Sequence, residues 1–254
     1  MKPTPWLIRP SGGPRRLRLY CFPYSGGNAA AFVPWQREID PAIELCAVQL
    51  PGRGARFRET PYTSFKTLIQ ALGEMLRTQH TQGTQHAEPF AFYGHSLGSL
   101  IAFELVRHCR QHGLPMPAHL IVSGCNAPPL REKSKRLHEL PDEQLIEKLR
   151  DYNGTPREIL DNRDLMRLLL PVVRADFALG ADYHYETEAP LPIPLTVLSG
   201  RDDKHVEVEG LRAWEKETAA DFREHWFDGD HFFINEARQQ VLECLTTELR
   251  PYLG

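Results

Sequence analysis

Phe90-Ala91-Phe92-Tyr93-Gly94-His95-Ser96-Leu97-Gly98 is the stretch on which the fold turns. Its first four residues are apolar and β-prone, and from Leu97 to His112 apolar side chains recur every three or four positions, so a strand runs through a sharp turn into a helix. The serine sits between two glycines in the pattern G-x-S-x-G, which in that strand-turn-helix setting is a nucleophile elbow. The spacing has a steric cause. A turn this sharp holds the serine at strained backbone angles, and Gly94 and Gly98 let helix and strand pass where a side chain would clash.

Outward from the elbow, further β-rich runs lie at Leu17–Phe22, Ile43–Gln49, His119–Ser123, Leu195–Ser199 and Phe222–Phe227. Helical spacing marks 29–38, 65–79, 97–112, 207–219 and 235–249. Strands alternating with helices of crossover length predict an α/β fold, a mostly parallel sheet flanked by helices. Between Pro128 and Pro192 only helical patterns occur, over 142–150 and 164–179, so this part reads as a helical lid insertion. The division expected is a core of residues 1–127 and 193–254 with the lid at 128–192. Pro190, Pro192 and Pro194 make a stiff return to the sheet.

A serine hydroxyl is a weak nucleophile, so Ser96 needs a base, and the base an orienting acid; in this fold they follow in the order acid, then histidine. Phe227-Asp228-Gly229-Asp230-His231 follows the last strand, which puts His231 at the same sheet edge as the elbow. The loop after Leu195–Ser199 offers two carboxylates, Asp202 and Asp203. An oxyanion also needs two amides: Leu97 N–H, and one from the loop Phe22-Pro23-Tyr24-Ser25-Gly26-Gly27, for which Ser25 N–H is favoured. His108 and His112 stand four apart on a helix without a third ligand nearby, and no metal is expected.

Composition removes several classes. The 254 residues suit one α/β domain with an insertion. Lys and Arg total 30 against 33 Asp and Glu, a net charge of −3, so no overall positive field exists to hold nucleic acid. The five cysteines are scattered and unpaired in sequence, which fits a reducing cytoplasmic compartment. No apolar run is long enough to cross a membrane, and no export signal opens the chain.

Taken together, the motifs resemble those of the stand-alone (type II) thioesterases that serve polyketide and nonribosomal peptide synthetases and animal fatty-acid synthesis, a branch of the α/β-hydrolase superfamily. The matching pieces are Phe22–Gly27, Leu50–Gly54, Gly94–Gly98, Leu170–Phe177, Trp214 and Gly229–Phe233, in order along nearly the whole chain. The resemblance implies Ser96 as nucleophile, His231 as base and Asp203 as acid, with Asp202 the alternative. Leu97, Asp230 and Ser25 stand where relatives often carry Met, Gly and Ala. The implied reaction is hydrolysis of acyl groups from the phosphopantetheine arm of acyl or peptidyl carrier proteins, clearing stalled or aberrant chains. It needs no cofactor of the enzyme's own, and a monomer is expected. Rival readings are a general serine esterase, a medium-chain fatty acyl-carrier thioesterase, or a catalytically idle binding module. Basic clusters at 15–18, 53–58 and 133–136 offer docking charge for an acidic carrier.

Overall fold

In the computed structural model, which describes residues 4–10, 16–80, 88–131 and 136–254, the elbow joins β4 (Phe90–His95) to α2 (Leu97–Gln111). Around it lie β1 (Leu7–Ile8), β2 (Leu17–Phe22), β3 (Ile43–Val48), α1 (Phe65–His80) and β5 (His119–Ser123). After β5 come α3 (Asp142–Tyr152), α4 (Arg157–Leu160) and α5 (Arg163–Asp182). The chain closes with β6 (Leu195–Gly200), α6 (Val208–Arg212), β7 (Phe222–Phe227), α7 (Phe233–Glu236) and α8 (Arg238–Leu249). The strands form one sheet in the order β1-β3-β2-β4-β5-β6-β7. Only β1 is antiparallel.

The central strands are buried along their whole length because helices cover both faces, which is why they read as continuous apolar runs. On one face α1 and α2 supply Leu68, Leu72, Ile101 and Phe103, closed by the indole of Trp214. On the other, α8 supplies Leu242 and Leu245 against Phe32 and Trp35. Each such buried side chain contributes roughly 1.5–3 kcal/mol by leaving water.

Register places the site. Phe22 pairs with Gly94, His95 with Ser123 and Gly200 with Phe227, so the loops leaving β2, β4, β6 and β7 emerge at one edge. β2 has β3 on one side and β4 on the other, which opens a crevice at their carboxyl ends where such sheets bind ligands.

The sequence reading fails in definable places. Residues 29–38 are two 3-10 turns, Ala29–Ala31 and Val33–Arg37, rather than a helix. Pro34 has no N–H to give an α-helical ladder, and the Gln36 amide instead serves β3, donating to Ile43 O at 3.0 Å and accepting from Leu45 N at 2.8 Å. The helix expected at 207–219 tightens into a 3-10 turn at Ala213–Glu217, where Trp214 Nε1 donates to Cys125 O at 2.8 Å. The last helix starts earlier, at Phe233, and breaks at Ala237.

Among the described residues no strand lies between β5 and β6. Instead α3, α4 and α5 share a cluster of Leu145, Leu149, Leu160, Met166, Leu170 and Val173, separate from the two sheet cores. Asn162 caps α5 by accepting from Asp164 N and Leu165 N, both at 3.1 Å. Among the described residues no helix is long and apolar enough to cross a membrane, and none of the five cysteines is in a disulfide.

Candidate active site

Ser96 has φ 55° and ψ −117°, a conformation few side-chain-bearing residues adopt. Its neighbours hold it there. A Cβ on Gly94 would lie 2.1 Å from Gly98 O, and one on Gly98 would lie 2.1 Å from Phe22 O, so both positions admit only glycine. Ser96 N donates to Ser123 O at 2.7 Å. Behind the turn, Ser99 Oγ lies 2.8 Å from Gly94 O and accepts from Ser123 N at 3.0 Å, pinning β4, α2 and β5 together.

His231 and Asp203 meet from the loops after β7 and β6. His231 Nδ1 and Asp203 Oδ2 are 2.7 Å apart, with side chains 5% and 0% exposed. The other carboxylate oxygen of Asp203 accepts His205 N at 2.8 Å. Asp202 is exposed and makes no contact with His231, so of the two carboxylates the structure brings Asp203 to the imidazole. Asp230 Oδ1 accepts Phe232 N at 2.8 Å, and Asn153 at the end of α3 donates to Asp230 Oδ2 at 2.9 Å.

Aromatic rings fix the imidazole's surroundings. His95, Tyr152 and Phe232 lie 5.2, 5.7 and 5.2 Å from its centroid. Tyr152 also stacks on His205 at 4.0 Å. Burial, and after it the nearby His231, lowers the pKa of His205. His95 is fully buried with Nδ1 2.9 Å from Ser123 Oγ, and burial holds it neutral, well below the usual histidine range.

Ser96 and His231 line one cavity of about 740 Å³ together with Ser25 and Leu97. Its far wall comes from the stretch between β5 and β6, through Met166, Phe177 and their neighbours. At its floor Leu97 N–H is the first amide of α2, without an intrahelical acceptor. In the β2 loop Gly26 N donates to Asp176 Oδ2 at 2.7 Å and Gly27 N to Tyr24 O at 2.9 Å, leaving Ser25 N–H as the uncommitted amide of the three.

Two features escaped the sequence reading. Arg53, read as docking charge, is buried and bidentate to Asp176 on α5, at 2.7 and 2.8 Å. Arg56 is buried as well, paired with Glu59 and lying 4.1 Å over the Trp6 ring. Both arginines sit in motifs the sequence marked, but nothing in a linear pattern says that a cation faces inward. Arg15 and residues 133–135 of the other clusters lie outside the described residues. His108 and His112 stack on each other at 4.0 Å, and among the described residues no three metal-ligating side chains converge.

Comparison with known proteins agrees with this architecture. The chain is 40% identical to the gramicidin S biosynthesis protein GrsT of Aneurinibacillus migulanus, over 94% of this chain and 91% of that one. It is 38% identical to linear gramicidin dehydrogenase LgrE of Brevibacillus parabrevis, over 100% and 95%. Among solved structures, the type II thioesterase BorB from the borrelidin biosynthetic cluster superposes with a TM-score of 0.85 at 31% identity, covering 98% of each chain. The model of the thioesterase domain family matches residues 17–249. On that match over most of the chain, and on the superposition of its α/β-hydrolase fold with such a relative, the chain belongs to the thioesterase family.

Proposed function

We propose that this protein hydrolyses acyl groups from the phosphopantetheine thiol of acyl or peptidyl carrier proteins, through a covalent Ser96 intermediate. What carries the reading is the 2.7 Å His231–Asp203 pair opening on the same cavity as a serine in a strained elbow. Asp203 fixes the imidazole by accepting from Nδ1, so Nε2 is the nitrogen that takes the Ser96 proton. Ser96 Oγ attacks the thioester carbonyl, and the oxyanion is met by the Leu97 and Ser25 amides. The C–S bond breaks, and His231 returns the proton to the departing thiol. Water, deprotonated by the same imidazole, then releases the acid and restores Ser96.

The carrier-bound substrate is supported by the relatives. GrsT is named for gramicidin S biosynthesis and BorB for a biosynthetic cluster. We assign residues 128–192 as a lid over an acyl chamber, supported by the apolar side chains that α3 and α5 turn into the cavity. The name of LgrE specifies a dehydrogenase. The turn after β2 here is Phe22-Pro23-Tyr24-Ser25-Gly26-Gly27, without the G-x-G-x-x-G of a dinucleotide cradle.

The test is single-turnover hydrolysis of acyl groups loaded on a phosphopantetheinylated carrier. Ser96→Ala is expected to lose about 10⁴-fold or more in kcat, and the parent to prefer the carrier thioester over the matching oxygen ester. Parental turnover by the alanine variant excludes Ser96 as nucleophile. Equal rates on thioester and ester exclude the substrate assignment.

A further inference from the structure

The β2 loop that offers Ser25 N–H does not hold its own shape. Gly26 has φ +74°, in the left-handed region, and a Cβ there would press on Val173 of α5 at 3.0 Å. Its amide is captured by Asp176 Oδ2 at 2.7 Å. Asp176 is 1% exposed, one helical turn beyond Val173 on α5, and is itself gripped by both terminal nitrogens of Arg53. Arg53 returns to the same loop, donating to Gly27 O at 3.0 Å, and to its own loop at Pro51 O. Gln49 closes the frame, accepting Ala29 N and donating to Arg53 O.

Two sheet loops and one helix of the stretch between β5 and β6 thus converge on a single carboxylate. We propose that Asp176 and Arg53 are positioning residues that assemble the oxyanion site: by holding Gly26 N–H, the carboxylate on α5 fixes the Ser25–Gly26 peptide and, through the Ser25 backbone, orients the adjoining Ser25 N–H towards the cavity. A buried carboxylate would be costly unless its charge were matched, and the bidentate guanidinium supplies that match while tying the loop's carbonyl side. The consequence is mechanistic. The second oxyanion amide is in place only while α5 is seated, so the helical stretch completes the catalytic machinery besides walling the chamber. An acyl chain that unseats α5 switches off its own hydrolysis.

This rests on the Ser96 reading above, and the experiment separates the two. Removing one charge alone strands the other, so the deciding variant is the double replacement Arg53→Met/Asp176→Leu. It keeps volume, removes both charges and leaves Gly26 N–H without its acceptor. Asp176→Asn, whose amide oxygen can still accept from Gly26, is the conservative companion. Against parent and Ser96→Ala we would measure kcat, KM, affinity for an alkyl boronic acid that forms a tetrahedral adduct, and affinity for a non-hydrolysable thioether analogue.

The expected result is a folded double variant with kcat down ~10²–10³-fold, the loss typical of one oxyanion donor. Boronate affinity falls in parallel, KM and thioether affinity change less than about threefold, and Asp176→Asn recovers at least tenfold of the loss. A role confined to packing would instead move KM and thioether affinity. That result, or a parental kcat in the folded double variant, overturns the proposal while inactive Ser96→Ala leaves the nucleophile assignment standing. If the double variant does not fold, Asp176→Ala decides by comparison with Asp176→Asn: unchanged kcat and boronate affinity in the alanine variant, or losses that the asparagine variant shares in full, overturn the proposal, and a parallel fall in both that Asp176→Asn recovers supports it.

Discussion

At the scale of single residues, the two adjacent carboxylates make the sharpest comparison. Asp203 is buried and 2.7 Å from His231 Nδ1, whereas Asp202 faces solvent and uses only its backbone N–H, on Gly229 O. A carboxylate that stabilises the imidazolium and selects its tautomer cannot be replaced by an amide without presenting the wrong hydrogen-bonding face. Asp203→Asn is therefore expected to lower kcat about 10⁴-fold and Asp202→Asn to leave it within about twofold. Steady-state rates on one carrier thioester check both, and the reverse ranking would overturn the assignment of the acid. Chain order and the strand before the loop were enough to find this pair of carboxylates, since both are local patterns. They could not choose between neighbours, because one residue's difference in a loop decides which side chain points inward and leaves no periodic signal. Gly94 and Gly98 were legible for the opposite reason: the contact that excludes a side chain there belongs to the turn itself.

At the scale of elements, long segments with sustained 3.6-residue spacing were readable to within a few residues, as α1, α2 and α5 show. β1 was not, because two residues carry no period, and the segment at 29–38 failed because its apolar spacing is interrupted by Pro34 and its Gln36 is spent on a neighbouring strand. The stretch between β5 and β6 was recognised by what it lacks, but its private core could not be read from spacing alone. Leu145, fully buried on α3, belongs to that core and touches neither sheet cluster. Truncating it removes about 2–5 kcal/mol of packing, and the loss falls on a cluster separate from the sheet cores, the arrangement that lets a part open locally without the rest. Leu145→Ala is accordingly expected to bring protease cuts within 136–182 at concentrations that spare the parent, while the urea transition followed through the buried tryptophans of the sheet moves little. Unchanged digestion, or cuts spread evenly along the chain, would mean that these helices and the sheet unfold as one.

At the scale of the whole molecule, stability should depend on acidity through histidines that fold in their neutral form. His119 on β5 is held down to about 4, chiefly by burial, with Glu248 opposing and Arg223 assisting, and His80 on α1 is held down to about 4 by burial and then by Arg18. In the unfolded chain both revert to about 6.5 and bind protons that the folded state refuses. Their contribution is complete above pH 6.5 and is lost as pH falls from there towards 4, by at most on the order of 3 kcal/mol for His119. Glu104 and Glu217 act in the opposite sense, because burial raises their carboxyls and the folded form gains protons first. The parental slope alone therefore mixes signs, and the informative quantity is a difference. His119→Gln, which keeps a polar group beside Thr196 Oγ1 and has no proton to bind, is expected to flatten the fall in urea midpoint between pH 6.5 and 4.5 while leaving the shape above pH 7 unchanged. Parallel curves for variant and parent would show that His119 takes up its proton as readily in the folded protein as in the unfolded chain. The net charge of −3 foretells none of this, because which histidines lose their water is settled by α8 bringing Glu248 to Thr196 and His225 across the sheet, more than a hundred residues along the chain from β5.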